Sequence, residues 1–108
     1  MSYSRACALS ELEDSTPFKA TVDGLDVAVV RHGDEVFAIE DECSHAAVPL
    51  SEGDVDDCTL ECFLHGSRFD LRTGKPTGPP ATEPVPVFAV QIDGDDVLID
   101  IDSPIGGN

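Results

Sequence analysis

The chain has no tryptophan, one tyrosine and one methionine, and it is poor in positive charge. Six Lys and Arg stand against 22 Asp and Glu, a formal net charge of −16. That balance argues against nucleic acid or an anionic membrane surface as a partner and favours a protein with a basic docking face. The same acidity also serves solubility, or life in a saline cytoplasm. Long apolar runs are missing as well. The longest aliphatic stretches are about four residues, such as Val27-Ala28-Val29-Val30, so no helix can span a bilayer. The opening MSYSRACALS has no apolar core of the secretory kind, so the expected location is the cytoplasm. Cysteines in that reducing compartment bind metal or do redox work more often than they form disulfides. Helical periodicity is missing too, apart from one short turn over Leu9 to Leu12.

What is present is alternation. "FKATV" (18–22) puts Phe18, Ala20 and Val22 on one face. "DVAVVR" (26–31) and "EVFAI" (35–39) are apolar on both faces, as central strands are. "VPVFAVQI" (85–92) and "DVLIDI" (96–101) read as strands, with Pro86 at an edge or at a strand start. Asp23-Gly24, Gly33-Asp34 and Asp93-Gly94-Asp95 are hairpin signals. The expected fold is all-β and antiparallel, a small sandwich or barrel. At 108 residues the chain is expected to form a single domain over 1–102, with a flexible tail over 103–108.

Two stretches break the strand rhythm, "DECSHAAVPLSEGD" (41–54) and the region from "CFLHG" (62–66) to "RTGKPTGPPATEP" (72–84). Each carries one cysteine and one histidine: Cys43 and His45 in the first, Cys62 and His65 in the second. Sixteen residues separate His45 from Cys62. Two soft thiolates and two imidazoles suit zinc or an iron–sulfur cluster. Structural zinc sites commonly pair cysteine with cysteine and histidine with histidine, whereas here each arm is mixed and short.

Cys-x-His followed after sixteen residues by Cys-x2-His resembles the Rieske [2Fe–2S] motif. "HGSRFDLRTGK" (65–75) resembles the stretch after the second ligand pair in Rieske ferredoxins, and "GPPATEPVP" (78–86) resembles the proline loop that covers their cluster. The resemblance runs through nearly the whole chain. It implies a cluster-binding part over about 41–84, made of two ligand loops and a proline loop, and one [2Fe–2S] cluster per chain. It further implies that Cys43 and Cys62 bind the inner iron, and that His45 and His65 bind the outer iron near the surface. Ser67 matches the serine that bonds a bridging sulfide. Val48 and Leu64 stand where respiratory Rieske proteins have a disulfide, and Phe69 where they have a tyrosine bonded to a ligand sulfur. Phe63 departs from the proline that often follows the second ligand cysteine. With neutral imidazoles, the charges of two ferric ions, two sulfides and two thiolates cancel. Such a centre accepts an electron more readily than an all-cysteine one, roughly −150 to +300 mV against about −400 mV. Missing sulfur donors and a heavy negative charge place the expected potential at the low end.

The function implied is that of a one-electron carrier, not an enzyme. It resembles the ferredoxin component of bacterial ring-hydroxylating dioxygenase systems, a monomer that takes electrons from an NAD(P)H-dependent flavin reductase and passes them to a terminal oxygenase. The Rieske small subunit of a larger oxidoreductase, such as NADH-dependent nitrite reductase, is an alternative. A structural zinc module is another. Of the remaining residues, Cys58 and Cys7 are expected in the core, with Cys58, Leu60 and Cys62 on one face. His32 is expected at a solvated hairpin tip, and the acidic run Asp54, Asp56, Asp57 on a solvated face.

Overall fold

The structure is a computed structural model and describes residues 3–33, 35–42, 48–56, 58–62, 66–77, 83–102 and 104–105. Nine strands lie among them: β1 (Ser4–Ala8), β2 (Pro17–Val22), β3 (Leu25–His32), β4 (Glu35–Glu40), β5 (Asp54–Asp56), β6 (Thr59–Glu61), β7 (Arg68–Asp70), β8 (Val87–Asp93) and β9 (Asp96–Asp100). Six form one antiparallel sheet in the order β1-β9-β8-β4-β3-β2, and three form a second in the order β5-β6-β7. The large sheet curls until its edges nearly meet, with the Ser4 hydroxyl donating to Asp23 Oδ2 at 2.8 Å. Closing a sheet on itself removes exposed edges that would otherwise pair with other chains. The expected all-β barrel with a small added part is therefore what the chain forms.

Local sequence explains the hairpins. Val22 pairs with Leu25 across Asp23-Gly24, whose backbones both have positive φ, as a two-residue turn requires. Asp93 pairs with Asp96 across Gly94-Asp95, a two-residue turn in which only Gly94 has positive φ. His32 pairs with Glu35 across Gly33 and Asp34, the latter outside the described residues. The turn over Leu9–Glu11 is a single-turn 3-10 helix, and Glu11 Oε1 accepts the Ala8 N–H at 2.9 Å. Pro86 stands just before β8, where its missing N–H costs no ladder bond. Its carbonyl accepts the Glu40 N–H at 3.0 Å.

The double-sided hydrophobicity of β3 and β4 has a tertiary cause. Val27 and Val29 on β3, with Ala38 on β4, point into the barrel with Cys7, Val22, Phe88, Val97 and Ile99. Ala28, Val30 and Ile39 point the other way, into a second core with Leu50, Leu60, Cys62, Phe69, Leu71, Val85 and Val87. One sheet surface thus seats the small sheet on the barrel. At the end of β4 away from the loop that follows Glu40, Arg72 ties the two parts together. Its guanidinium donates to Glu35 Oε1 at 3.0 Å and lies over the Phe37 ring, 5.5 Å from the centroid.

One expectation needs adjustment. The acidic run is exposed at Asp54 and Asp56, as expected, and these residues bound the edge strand β5, while Asp57 lies outside the described residues. His32 is half-buried, with Nδ1 3.1 Å from the Ser15 hydroxyl. Positions 103 and 106–108 of the tail lie outside the described residues, and the Ile105 N–H donates to Val87 O at 2.7 Å.

Cys7 is buried in the barrel, and burial first, then the Glu11 carboxylate, push its thiol up to about 11. A thiol with a raised folded-state value binds more protons folded than unfolded, so stability falls as pH rises between about 9 and 11. The parent's stability advantage over Cys7→Ala is expected to shrink by roughly 2 kcal/mol across that window. Urea midpoints at pH 8 and pH 11 check this; parallel shifts in both proteins would refute it.

Candidate metal centre

Cys62 follows β6 directly and its side chain is fully buried. Its N–H donates to Ser67 O at 2.6 Å, and the Gly66 N–H donates back to Cys62 O at 2.9 Å. These bonds lock both ends of a six-residue loop. Gly66 closes it at φ +77°, a conformation that side-chain-bearing residues rarely adopt. Ser67 is 1% exposed and enters β7 next to Cys62. Phe63, Leu64 and His65, between the locked ends, lie outside the described residues.

The other expected arm springs from the end of β4. Asp41 N–H donates to Asp26 O at 3.0 Å, and the Asp41 side chain is buried. Its carboxylate accepts the Ser51 N–H at 2.6 Å and the Ser51 hydroxyl at 2.7 Å. Between these partners run Cys43 to Ala47, which lie outside the described residues, and then Val48, Pro49 and Leu50. Val48 packs on the second core, and Leu50 is fully buried in it. Nearby, burial first and then Glu42 push the Glu40 carboxyl up.

A third loop is rooted on the same core. Thr77 N–H donates to Arg68 O at 2.8 Å, Pro76 bridges to Phe69, and Val85 N–H donates to Gly74 O at 2.9 Å. Residues 78–82, the core of the expected proline loop, lie outside the described residues. Arg68 points to the small sheet's acids, 2.9 Å from Glu61 Oε1 and 3.5 Å from Asp56 Oδ2. Roots of three loops therefore meet around Cys62, Ser67 and Phe69.

Of the four expected ligands, Cys62 is described and Cys43, His45 and His65 are not. What is described fits a cluster thiolate. Cys62 is in no disulfide, lies at the locked root of a tight loop and has buried Ser67 beside it. Cys58 is a core residue, as expected, at φ +62° in the connection between β5 and β6. Two structural residues escaped the sequence reading, Asp41 and Ser51. The only sequence trace of the pair is an aspartate two residues ahead of a ligand cysteine and a serine ten residues on.

Three loops rooted around one buried thiol, on a β-barrel carrying a small second sheet, define a β domain whose loops gather over a single cysteine. Residues 2–89 match the Rieske [2Fe-2S] domain, and the chain belongs to that family, with one [2Fe–2S] cluster per chain. It is 38% identical to the biphenyl dioxygenase ferredoxin subunit of Pseudomonas sp. (strain KKS102), over 93% of both chains. Among solved structures it is similar to the ferredoxin of carbazole 1,9a-dioxygenase from Nocardioides aromaticivorans IC177. That pair has 40% identity and a TM-score of 0.87, covering 92% of this chain and 97% of the other. A complex of reduced oxygenase and oxidized ferredoxin in carbazole 1,9a-dioxygenase contains a chain 36% identical, with a TM-score of 0.84, covering 90% and 91%. Among the described residues, no helix is long and apolar enough to cross a membrane.

Proposed function

We propose that this protein is a one-electron carrier of a multicomponent dioxygenase system, not itself an enzyme. It passes electrons from an NAD(P)H-dependent flavin reductase to a terminal oxygenase that hydroxylates an aromatic ring. The domain spans 1–102, its cluster-binding part about 41–84, and it works as a cytoplasmic monomer. Cys43 and Cys62 would hold the cluster on its inner side and His45 and His65 toward the surface, with Ser67 as a hydrogen-bond donor beside it. When bound, the cluster supplies a site that takes and gives up one electron. The chain's own residues hold it in place and screen it from water on the side of the second core.

The observation that carries the reading is near-complete coverage of dioxygenase ferredoxin subunits at 38% identity, combined with a buried Cys62 at the locked root of its loop. The test is reconstitution with candidate reductases and oxygenases, following NADH consumption. Consumption that depends on this protein is expected; none with any partner set overturns the reading. Reduced-state EPR checks the ligand set, since a mixed His/Cys cluster has a lower average g value than an all-Cys one.

Two properties follow. With a net charge of −16, encounter with a basic partner face is steered, so the electron-transfer rate falls as ionic strength rises. A rate flat from low salt to physiological salt would count against steering. Phe69 is fully buried and carries no hydroxyl for a ligand sulfur. Together with the acidity this places the potential toward the −150 mV end of the approximate Rieske range. A voltammetric midpoint near +300 mV would rule this out.

A further inference from the structure

We propose that Asp41, Ser51 and Gly53 form a brace that sets the distance between the two ligand arms, and that they act as positioning residues for the cluster. The inference rests on the ligand assignment above. The first arm begins at Asp41 and returns at Ser51, and both ends meet in one contact. The buried carboxylate takes two short hydrogen bonds from the same residue, 2.6 Å from its N–H and 2.7 Å from its hydroxyl. Hydrogen bonds to an ionised acceptor are shorter and roughly twice as strong as neutral ones. The Asp41 N–H is in turn held by Asp26 O on β3, so the closed loop is fixed to the barrel.

The second contact reaches the other arm. After the single turn Leu50–Glu52, Gly53 lies with its backbone against the peptide of Glu61. A Cβ at position 53 would stand 1.6 Å from the Glu61 carbonyl oxygen and 2.9 Å from its carbon. Glu61 is the residue before Cys62, and the two segments go on to pair as Asp54 with Glu61. The chain leaving the first arm is thus in hard contact with the peptide that leads into the second. Only that peptide lies between Gly53 and the Cys62 backbone. Any side chain at 53 pushes the two arms apart by more than an ångström, whereas metal–ligand distances hold within about 0.2 Å. The barrel core of Val22, Val27, Val97 and Ile99 lies in the other cluster, so the brace can be disturbed without emptying that core.

The test compares four variants with the parent holoprotein, all read with a ferrous chelator, by EPR and by far-UV circular dichroism. Gly53→Ala is expected to release iron about 10–100-fold faster than the parent, the range for losing support around a metal. Its g values should shift while its β spectrum is kept. Ser51→Ala should move in the same direction by less, and Ser51→Thr, which keeps a hydroxyl, should restore the parent rate. Val22→Ala, a barrel-core truncation, should lower the melting temperature and leave iron release and g values unchanged. If Gly53→Ala does not fold, the Ser51→Ala and Ser51→Thr pair decides alone. Parent-like release and g values in Gly53→Ala and Ser51→Ala would overturn the brace, and so would equally fast release from Val22→Ala. A parent without iron or acid-labile sulfide would overturn the cluster assignment itself, and the brace with it. A parent that holds its cluster while the variants match it overturns the brace alone.

Discussion

Cys62→Ala, prepared anaerobically, is expected to be colourless, without iron or acid-labile sulfide, and inactive in reductase-coupled electron transfer. Losing a residue that merely supports a metal ligand costs about 10–100-fold in affinity, so losing a ligand thiolate costs more. Alanine is preferred to serine because a serine oxygen can itself reach a metal. The fold should survive. Removing one buried heavy atom from the second core costs about 1 kcal/mol, well within the stability of a small domain. Cys58→Ala is the matched control: the same residue type, buried in the same core, four positions earlier. It should keep its iron and its colour. Iron and sulfide assays on the two variants separate ligation from packing. A brown Cys62→Ala with parent iron content would remove Cys62 from the site.

Phe69→Ala should produce a large loss of stability. The ring is fully buried, and the residue pairs with Leu60 across β6 and β7 while its backbone bridges to Pro76. Truncating a buried Phe costs about 3–5 kcal/mol, against roughly 5–15 for a whole domain. At about 4–8 °C per kcal/mol for a chain near this size, the melting temperature should fall by roughly 15–30 °C. Cluster loss should begin well below that transition, because the second core holds the roots of all three loops. Phe88→Ala, in the barrel core, should lower the melting temperature similarly but lose iron only as the protein unfolds. Thermal melts followed in parallel at a visible cluster band and in the far ultraviolet distinguish the cases. A drop of only a few degrees for Phe69→Ala would mean the small sheet is held elsewhere, for instance by the Arg72–Glu35 tie.

The parts of the fold readable in the sequence are those with local causes. Alternation marks β2, unbroken apolar runs mark β3 and β4, runs rich in Val and Ile mark β8 and β9, and Asp-Gly pairs mark two of their turns. The strands β5, β6 and β7 each have three residues, too few for a period of two to stand out. All three carry an acid at an end, which locally disfavours a strand. They form because Leu60 and Phe69 must be buried and the surface of β3 and β4 offers the place. The burial of Cys58, Leu60 and Cys62 together agrees with simple alternation, yet Cys58 gets there through a left-handed turn and not an extended strand.

The sequence by itself determined the candidate ligands and the chemistry they suit, because residue type and short spacing carry that information within one loop. It also determined that β3 and β4 would be covered on both faces, since Val27-Ala28-Val29-Val30 and Val36-Phe37-Ala38-Ile39 are unbroken apolar runs. Only the tertiary structure decided what covers the second face, and which contacts hold the loops apart. Asp41 meets Ser51 ten residues on, and Gly53 meets Glu61 eight residues on. Contacts of that kind leave no periodic trace, because they depend on where separate segments lie in space and not on how neighbours alternate along one.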